Sequence, residues 1–287
     1  MRRPRWHVRG AVLDPNRGTI VMGVVNITPD SFSDGGRYPS EDSAVAWGLR
    51  MWRQGAHIVD VGGESTRPGA AEVSEQEEVG RVAGVVERLV SAGVLVSIDT
   101  TKPGVAEAAI GVGAAVLNDV TALEDPAMAR LCASAGVGVV LMHMRGNPRT
   151  MQIDPHYADV VAEVGEYLRG RIEAAAAAGV DPRAIAVDPG IGFGKTLHHN
   201  LALLNGLPEL AQLGRPVLVG VSRKAFLGAL TDRPVEERDG VTAVASGIGA
   251  ILGASVMRVH DVPSTRDALA LADAMVAVMD EGDADRQ

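Results

Sequence analysis

Residues 19–26 read TIVMGVVN, an apolar and largely β-branched run that stops at an amide, Asn26. A strand with one face in water alternates apolar and polar side chains. A run without polar positions instead implies a strand covered on both faces, as in a parallel sheet walled by helices. Comparable runs recur at 57–61, 94–98, 115–117, 138–142, 184–187, 217–221 and 255–259, which makes eight in all. Between them, residues 43–54, 74–91, 105–112, 126–135, 157–178 and 240–252 carry helical periodicity and strong helix formers. Eight strand-loop-helix units in under 300 residues lead us to expect a single (β/α)8 TIM barrel. An open doubly wound sheet needs fewer strands and usually a glycine-rich first turn. No Pro-, Ser- or charge-rich linker divides the chain, so residues 1–287 are expected to form one domain, with a short N-terminal extension over 1–18 and a frayed acidic tail over 280–287. The alanine run at 174–178, closed by Gly179, reads as an alanine-rich helix with a glycine cap.

Composition limits the partners. With 46% apolar side chains the chain can bury a large core, and 36 acidic against 27 basic residues give a net charge of −9. That balance disfavours a sequence-independent hold on nucleic acid. Cys132 is the only cysteine, which excludes an intramolecular disulfide and a thiolate metal cluster and fits a small buried apolar side chain. The opening MRRPRWHVRG has basic residues but no apolar segment behind them, and no apolar run approaches the ~18 residues of a membrane span. A soluble, cytoplasmic protein is expected.

In a barrel, the C-terminal ends of the strands face the active site. Here every run hands over to polar groups. Asn26 ends the first. The second leads through Asp60 to Glu64, Thr66 and Arg67, and the third ends at Asp99. Asn118 and Asp119 end the fourth, His143 the fifth and Asp188 the sixth. The seventh gives Ser222, Arg223 and Lys224, and the eighth gives Arg258, His260 and Asp261. A cap or turn role explains any one of these. It does not explain eight converging at one mouth. Asp99, Asn118 and Asp188 are short groups on stiff strand ends, suited to the polar edge of a flat heterocycle. A buried carboxylate such as Asp188 needs paired donors, which an amino-pyrimidinone supplies, so a guanine-like or pterin-like ligand is favoured. Arg67, Arg258 and His260 add donors for an anionic substrate moiety.

Three stretches mimic other sites. In PGIGFGKT (189–196) a proline stands where the P-loop spacing needs its first glycine. GIGAILG (247–253) misses the dinucleotide-binding spacing and lies in a helical segment, so helix packing is its expected role. His198 and His199 are adjacent and cannot grip one metal from a helix face.

The motifs MGVVNITPDSFSDGG (22–36), GAHIVDVGGESTRPGA (55–70), SIDTTKP (97–103), LNDVTAL (117–123), LMHMRGNPRTMQ (141–152), DPGIGFGKT (188–196), LVGVSRKAF (218–226) and RVHDV (258–262) closely resemble those of the bacterial dihydropteroate synthases, the sulfonamide targets of folate synthesis. The resemblance runs from about Met22 to Val262. It implies a (β/α)8 barrel that condenses 7,8-dihydropterin-6-ylmethyl diphosphate with p-aminobenzoate, uses Mg²⁺ and forms a homodimer. Carried over by motif, Asp99, Asn118, Asp188 and Lys224 would hold the pterin, and Asn26 would ligate Mg²⁺. Thr66, Arg67, Arg258 and His260 would hold the diphosphate, Phe32, Pro68, Phe193 and Ser222 would lie near the aminobenzoate, and Gly220 would be a further substrate-binding residue. Lys224, Arg258 and Asp99 would carry the catalysis. The loop from Thr28 to Gly36 would close over the site. Two positions depart from the commonest family wording: Ala122-Leu123 where glycine is usual, and Ala225 where serine is usual after SRK. Methyltetrahydrofolate methyltransferase barrels should lack the TPDSFSDGG and ESTRPG loops and the SRK lysine. A silent pterin-binding homologue should have lost Arg67, Lys224 or Arg258. This chain has all of them.

Overall fold

The structure, a computed structural model, describes residues 2–28, 41–65, 72–147 and 150–284. A hairpin comes first. β1 (Trp6–Val8) and β2 (Ala11–Leu13) pair antiparallel across a turn with Gly10 at φ +76. Eight parallel strands follow: β3 (Ile20–Asn26), β4 (Ile58–Gly62), β5 (Val96–Asp99), β6 (Val116–Asp119), β7 (Gly138–Met142), β8 (Ile185–Asp188), β9 (Leu218–Val219) and β10 (Val256–Val259). They neighbour one another in chain order, and β10 returns to pair with both β3 and β9. A parallel bridge between Val187 and Val217, with the Val187 amide donating to the Pro216 carbonyl at 2.9 Å, joins β8 to the start of the β9 segment and closes the ring.

The helices alternate with the strands on the outside. They are α1 (Glu41–Arg53), α2 (Glu75–Ser91), α3 (Pro103–Gly111), α4 (Pro126–Ala135), α5 (Val160–Ala177), α6 (Leu197–Asn205), α7 (Leu207–Leu210), α8 (Ala225–Thr231), α9 (Asp239–Ile251) and α10 (Val262–Ala284). Their starts follow local chemistry. Ser74, Asp125, Asp159 and Thr196 each accept a main-chain N–H of the first turn, and Pro103 and Pro126 occupy first-turn positions where no donor is missed. In the 247–253 stretch, Gly247 of α9 packs against the Ala268 main chain of α10, with an added Cβ only 3.4 Å from its carbonyl oxygen. Helix packing is therefore its role. α10 continues to Ala284, into the acidic stretch expected to fray.

The apolar runs are two-faced, as the barrel requires. Along β3, Val21 and Val25 belong to the outer core under the helices, while Ile20 and Met22 belong to an inner cluster with Ile58, Val116, Val140, Leu218 and Val256. Trp6 and Val8 of the hairpin complete that inner cluster. The Trp6 ring is fully buried and its Nε1–H donates to the Ala184 carbonyl at 2.8 Å. Gly138 at the start of β7 leaves the room, since an added Cβ would sit 2.6 Å from Val8. The N-terminal extension thus plugs the bottom of the barrel and leaves the top for function.

Candidate active site

Register sets the first row of the site. Asn26 pairs with Gly62, Gly62 with Asp99, and Asp99 with Asn118, so these four residues stand at one level across four neighbouring strand ends. Gly62 is the low point of that row. A Cβ there would lie 3.5 Å from Asp99 Cβ and 3.6 Å from Asn26 Oδ1, so its absence keeps the floor open between the two.

Arg258 of β10 lies across this row. Its Nε donates to Asp60 Oδ2 at 2.6 Å and its Nη2 to Asp99 Oδ2 at 2.6 Å, while Asn118 Nδ2 donates to the same Asp60 oxygen at 3.1 Å. Asp60 is completely buried and its Oδ1 makes no protein hydrogen bond. Burial works against the charge of Arg258, but the two carboxylates outweigh it and hold the guanidinium firmly protonated. Burial pushes the Asp99 carboxyl up, against the pull of Arg258. Arg258 was expected to meet an anionic group at the mouth. Its side chain is engaged with the carboxylates of the floor.

The opposite side is built from β8 and the loop after it. Asp188 is buried, with Oδ1 accepting the Gly190 N–H at 2.7 Å, and burial raises its pKa while Lys224, Arg258 and Lys195 pull it down. Lys224 donates to the Ile191 carbonyl, and its Nζ stands 4.6 Å from the centre of the Phe193 ring, a cation–π arrangement. Burial is the main influence on Lys224 and lowers its pKa to about 8, Asp188 opposing. Gly220 leaves this corner open: a Cβ there would lie 3.8 Å from Lys224 Nζ and 4.0 Å from Arg258 Cβ. Ser222 Oγ accepts the His260 N–H at 3.2 Å and meets its Nδ1 at 2.9 Å, joining the ends of the seventh and eighth barrel strands. Arg223, between Ser222 and Lys224, takes φ +57 and pairs with Asp239 at the start of α9, Nε to Oδ1 at 2.8 Å.

Asp99, Asn118, Asp188, Phe193, Gly220, Ser222, Lys224, Arg258, His260 and Asn26 are therefore brought to one end of the barrel. Phe32, Thr66, Arg67 and Pro68 lie outside the described residues. Asp119 turns away from this constellation: its carboxylate accepts Thr121 and Leu123 main-chain N–H groups at 2.8 and 2.9 Å and serves the turn. That turn also explains a departure from the family wording. Ala122 and Leu123 sit at φ +55 and +58, the region that glycine adopts without strain. Arg171 holds the turn by donating to both of their carbonyls.

Two residues of consequence were not selected as site residues from the sequence. Asp60 stands among the polar residues of the second run but, flanked by Val59 and Val61, carries no assigned role there. Lys195 looked like part of a failed phosphate-loop motif. His199 closes a capping box with Thr196 at the start of α6, and its ring meets Tyr157 edge-on.

The sequence profile of the pterin binding enzyme family matches residues 22–260. A dihydropteroate synthase of Mycobacterium leprae is 51% identical over 257 residues, covering 87% of this chain and 90% of the relative. The chain belongs to the dihydropteroate synthase family of pterin binding enzymes. Solved structures of the family agree with the fold. A Yersinia pestis dihydropteroate synthase bound to a sulfonamide drug superposes with a TM-score of 0.90 at 42% identity, covering 95% of this chain and 99% of that one. A Xanthomonas albilineans dihydropteroate synthase in complex with 7,8-dihydropteroate gives 0.86 at 45% identity, covering 95% and 98%.

Proposed function

We infer that this chain is a dihydropteroate synthase: it joins 7,8-dihydropterin-6-ylmethyl diphosphate to p-aminobenzoate, giving 7,8-dihydropteroate and pyrophosphate. The observation that carries this reading is the gathering of buried Asn118 and Asp188 with half-buried Asp99, Lys224 and Arg258 at one barrel mouth, in a chain half identical to a curated synthase. The acids and the amide match the donor-rich edge of a pterin, and Lys224 matches its carbonyl.

In the reaction the C–O bond at the pterin methylene breaks, its electron pair leaves on pyrophosphate, and the amine nitrogen of aminobenzoate forms the new C–N bond and gives up one proton. An aromatic amine is neutral and nucleophilic at neutral pH, so the protein supplies no strong base. It supplies position and charge stabilisation. Asp99, Asn118 and Asp188 would fix the ring, and buried carboxylates around it favour the cationic character that develops there. His260 would meet the diphosphate side together with Thr66 and Arg67, and Phe193 and Ser222 would flank the aminobenzoate with Phe32 and Pro68.

The donor set also fits Mg²⁺. Asn26 offers a single amide oxygen, and among the described residues no group of His, Cys, Asp or Glu could hold an ion by itself. A hard cation that retains water and takes most of its ligands from phosphate suits such a site. When bound it would neutralise charge on the leaving group.

Exposed apolar residues Val244 and Ile248 on α9 and Leu271, Met275 and Val278 on α10 form a face suited to a second copy of the chain, and we read the protein as a homodimer on that basis. Among the described residues no helix is long and apolar enough to cross a membrane, and a cytoplasmic location is the reading that suits a biosynthetic enzyme of this class. Sulfonamides would compete at the aminobenzoate site, with Ala225 in place of serine giving one hydroxyl fewer near it.

The test is an assay of purified protein with both substrates and Mg²⁺, following pyrophosphate and dihydropteroate together. Equal amounts that vanish with EDTA are expected. Tight pterin binding without either product would make the chain a silent homologue.

A further inference from the structure

Lys195 is 3% exposed, and no carboxylate lies within bonding distance of it among the described residues. A lysine is costly to bury in such a place unless its donors are used. They are. Nζ lies 3.0 Å from His143 Nδ1, 2.9 Å from the Phe193 carbonyl and 3.4 Å from the His143 carbonyl, three acceptors for three protons. While Lys195 is an ammonium it only donates, which places the His143 ring proton on Nε2. Burial first, and then Lys195, push His143 down to about 3 and keep it neutral.

The carbonyls face inward because two loops are packed backbone against backbone. Gly190 and Gly194 take φ +66 and +64, and a Cβ on either would strike the segment after β7, 1.8 Å from the His143 oxygen and 2.6 Å from the Arg145 oxygen. An apolar residue at 195 would leave the Phe193 carbonyl without its Lys195 donor. The rest of the 189–194 loop is pinned similarly: Gln152 Nε2 donates to the Gly192 carbonyl at 2.6 Å, Tyr157 Oη–H to the Gly194 carbonyl at 2.9 Å, and the Gly192 N–H to Asn200 Oδ1 at 2.7 Å.

We propose that Lys195 is a positioning residue for the second substrate: its ammonium ties the loop after β8 to the end of β7 and so fixes the Phe193 ring beneath Lys224. The inference rests on the synthase reading, in which Phe193 flanks the aminobenzoate. Asp99, Asn118 and Asp188 stand on strand ends to which Lys195 donates no hydrogen bond, although its charge reaches Asp188 and Lys224 bonds the Ile191 carbonyl of the tied loop, so p-aminobenzoate should respond more than the pterin.

The experiment is Lys195→Met in the full-length protein, with steady-state kinetics for both substrates and a thermal melt to establish folding. KM for p-aminobenzoate should rise about tenfold, the cost of a side chain displaced by a fraction of an ångström to an ångström, while KM for the pterin diphosphate moves less than about twofold. In a Phe193→Ala background the same substitution should add less than about twofold, because its effect passes through the ring. Equal changes for both substrates, or a full-sized effect in the Phe193→Ala background, would overturn the proposal. Should Lys195→Met fail to fold, Lys195→Gln, which keeps a donor of shorter reach, should show the same split at smaller amplitude. A wild type that makes no dihydropteroate in the parallel assay would remove the function reading alone. A crystal structure of the variant then decides for Lys195: a Phe193 ring unmoved relative to Lys224 would sink the proposal.

Discussion

Arg258 reaches across the barrel mouth to Asp60, with Nε 2.6 Å from an Oδ2 that also accepts Asn118. Asp60 thus orients two groups expected to touch substrate without standing at the mouth itself. Asp60→Ala leaves the guanidinium short of one partner, and removing one member of a buried ion pair costs about 3–5 kcal/mol. We expect a loss of that order in unfolding free energy by urea titration, and pterin affinity down at least about tenfold by calorimetry. Wild-type pterin affinity in a folded Asp60→Ala protein would contradict this assignment.

Lys224 combines a hydrogen bond to the Ile191 carbonyl with a position over the Phe193 ring and the attraction of Asp188. Replacing it with Met removes the cation but keeps most of the stem. Turnover should fall by about a hundredfold or more, with the loss of a buried charged hydrogen bond to the pterin. Pre-steady-state product formation compared with pterin binding would show whether binding or chemistry is lost, and near-normal activity would exclude Lys224 from the site.

Ala122 and Leu123 occupy a left-handed turn, and Asp119 and Arg171 hold it there. Ala122→Gly relieves one strained position and should stabilise the fold by about 0.5–1 kcal/mol, since the relief of about 1–2 kcal/mol is partly offset by the entropy of glycine in the unfolded chain. The reading is a shift in urea midpoint at constant slope. A destabilised variant would show that the backbone there is not strained.

Lys195 also makes a pH prediction. Burial lowers its pKa from 10.5 to about 7 in the folded protein. Between those values the unfolded chain binds more protons at this site than the folded one, so its contribution to stability rises with pH across that window. The urea midpoint of Lys195→Met should therefore rise less than that of wild type between about pH 7 and about pH 10. Parallel curves would mean that Lys195 keeps an ordinary pKa.

Trp6 seals the bottom of the barrel, fully buried and bonded to the Ala184 carbonyl. Trp6→Ala should cost about 3–5 kcal/mol through the cavity it leaves. Because the hairpin lies at the opposite end from the site, KM values measured well below the melting temperature should stay within about twofold. A selective change in either KM would mean that the plug is coupled to the mouth.

The barrel and most of the residues at its mouth are legible along the chain. Continuous apolar runs are legible because both faces of each strand are buried, Val21 and Val25 outward and Ile20 and Met22 inward, and the polar residue that ends each run stands out against them. The motifs then identified the family. What escaped were features without a local signature. β1 and β2 are three residues each, too short for any periodicity, and only the space opened by Gly138 gives Trp6 its place. Asp60 lies inside an apolar run and acquires its meaning from Arg258, 198 residues away. Lys195 borrowed the look of a phosphate loop, and its acceptors come from a residue 52 positions earlier and from the folded-back main chain. Burial and hydrogen-bond partnership across such separations depend on the closed ring, so only the tertiary structure could decide them.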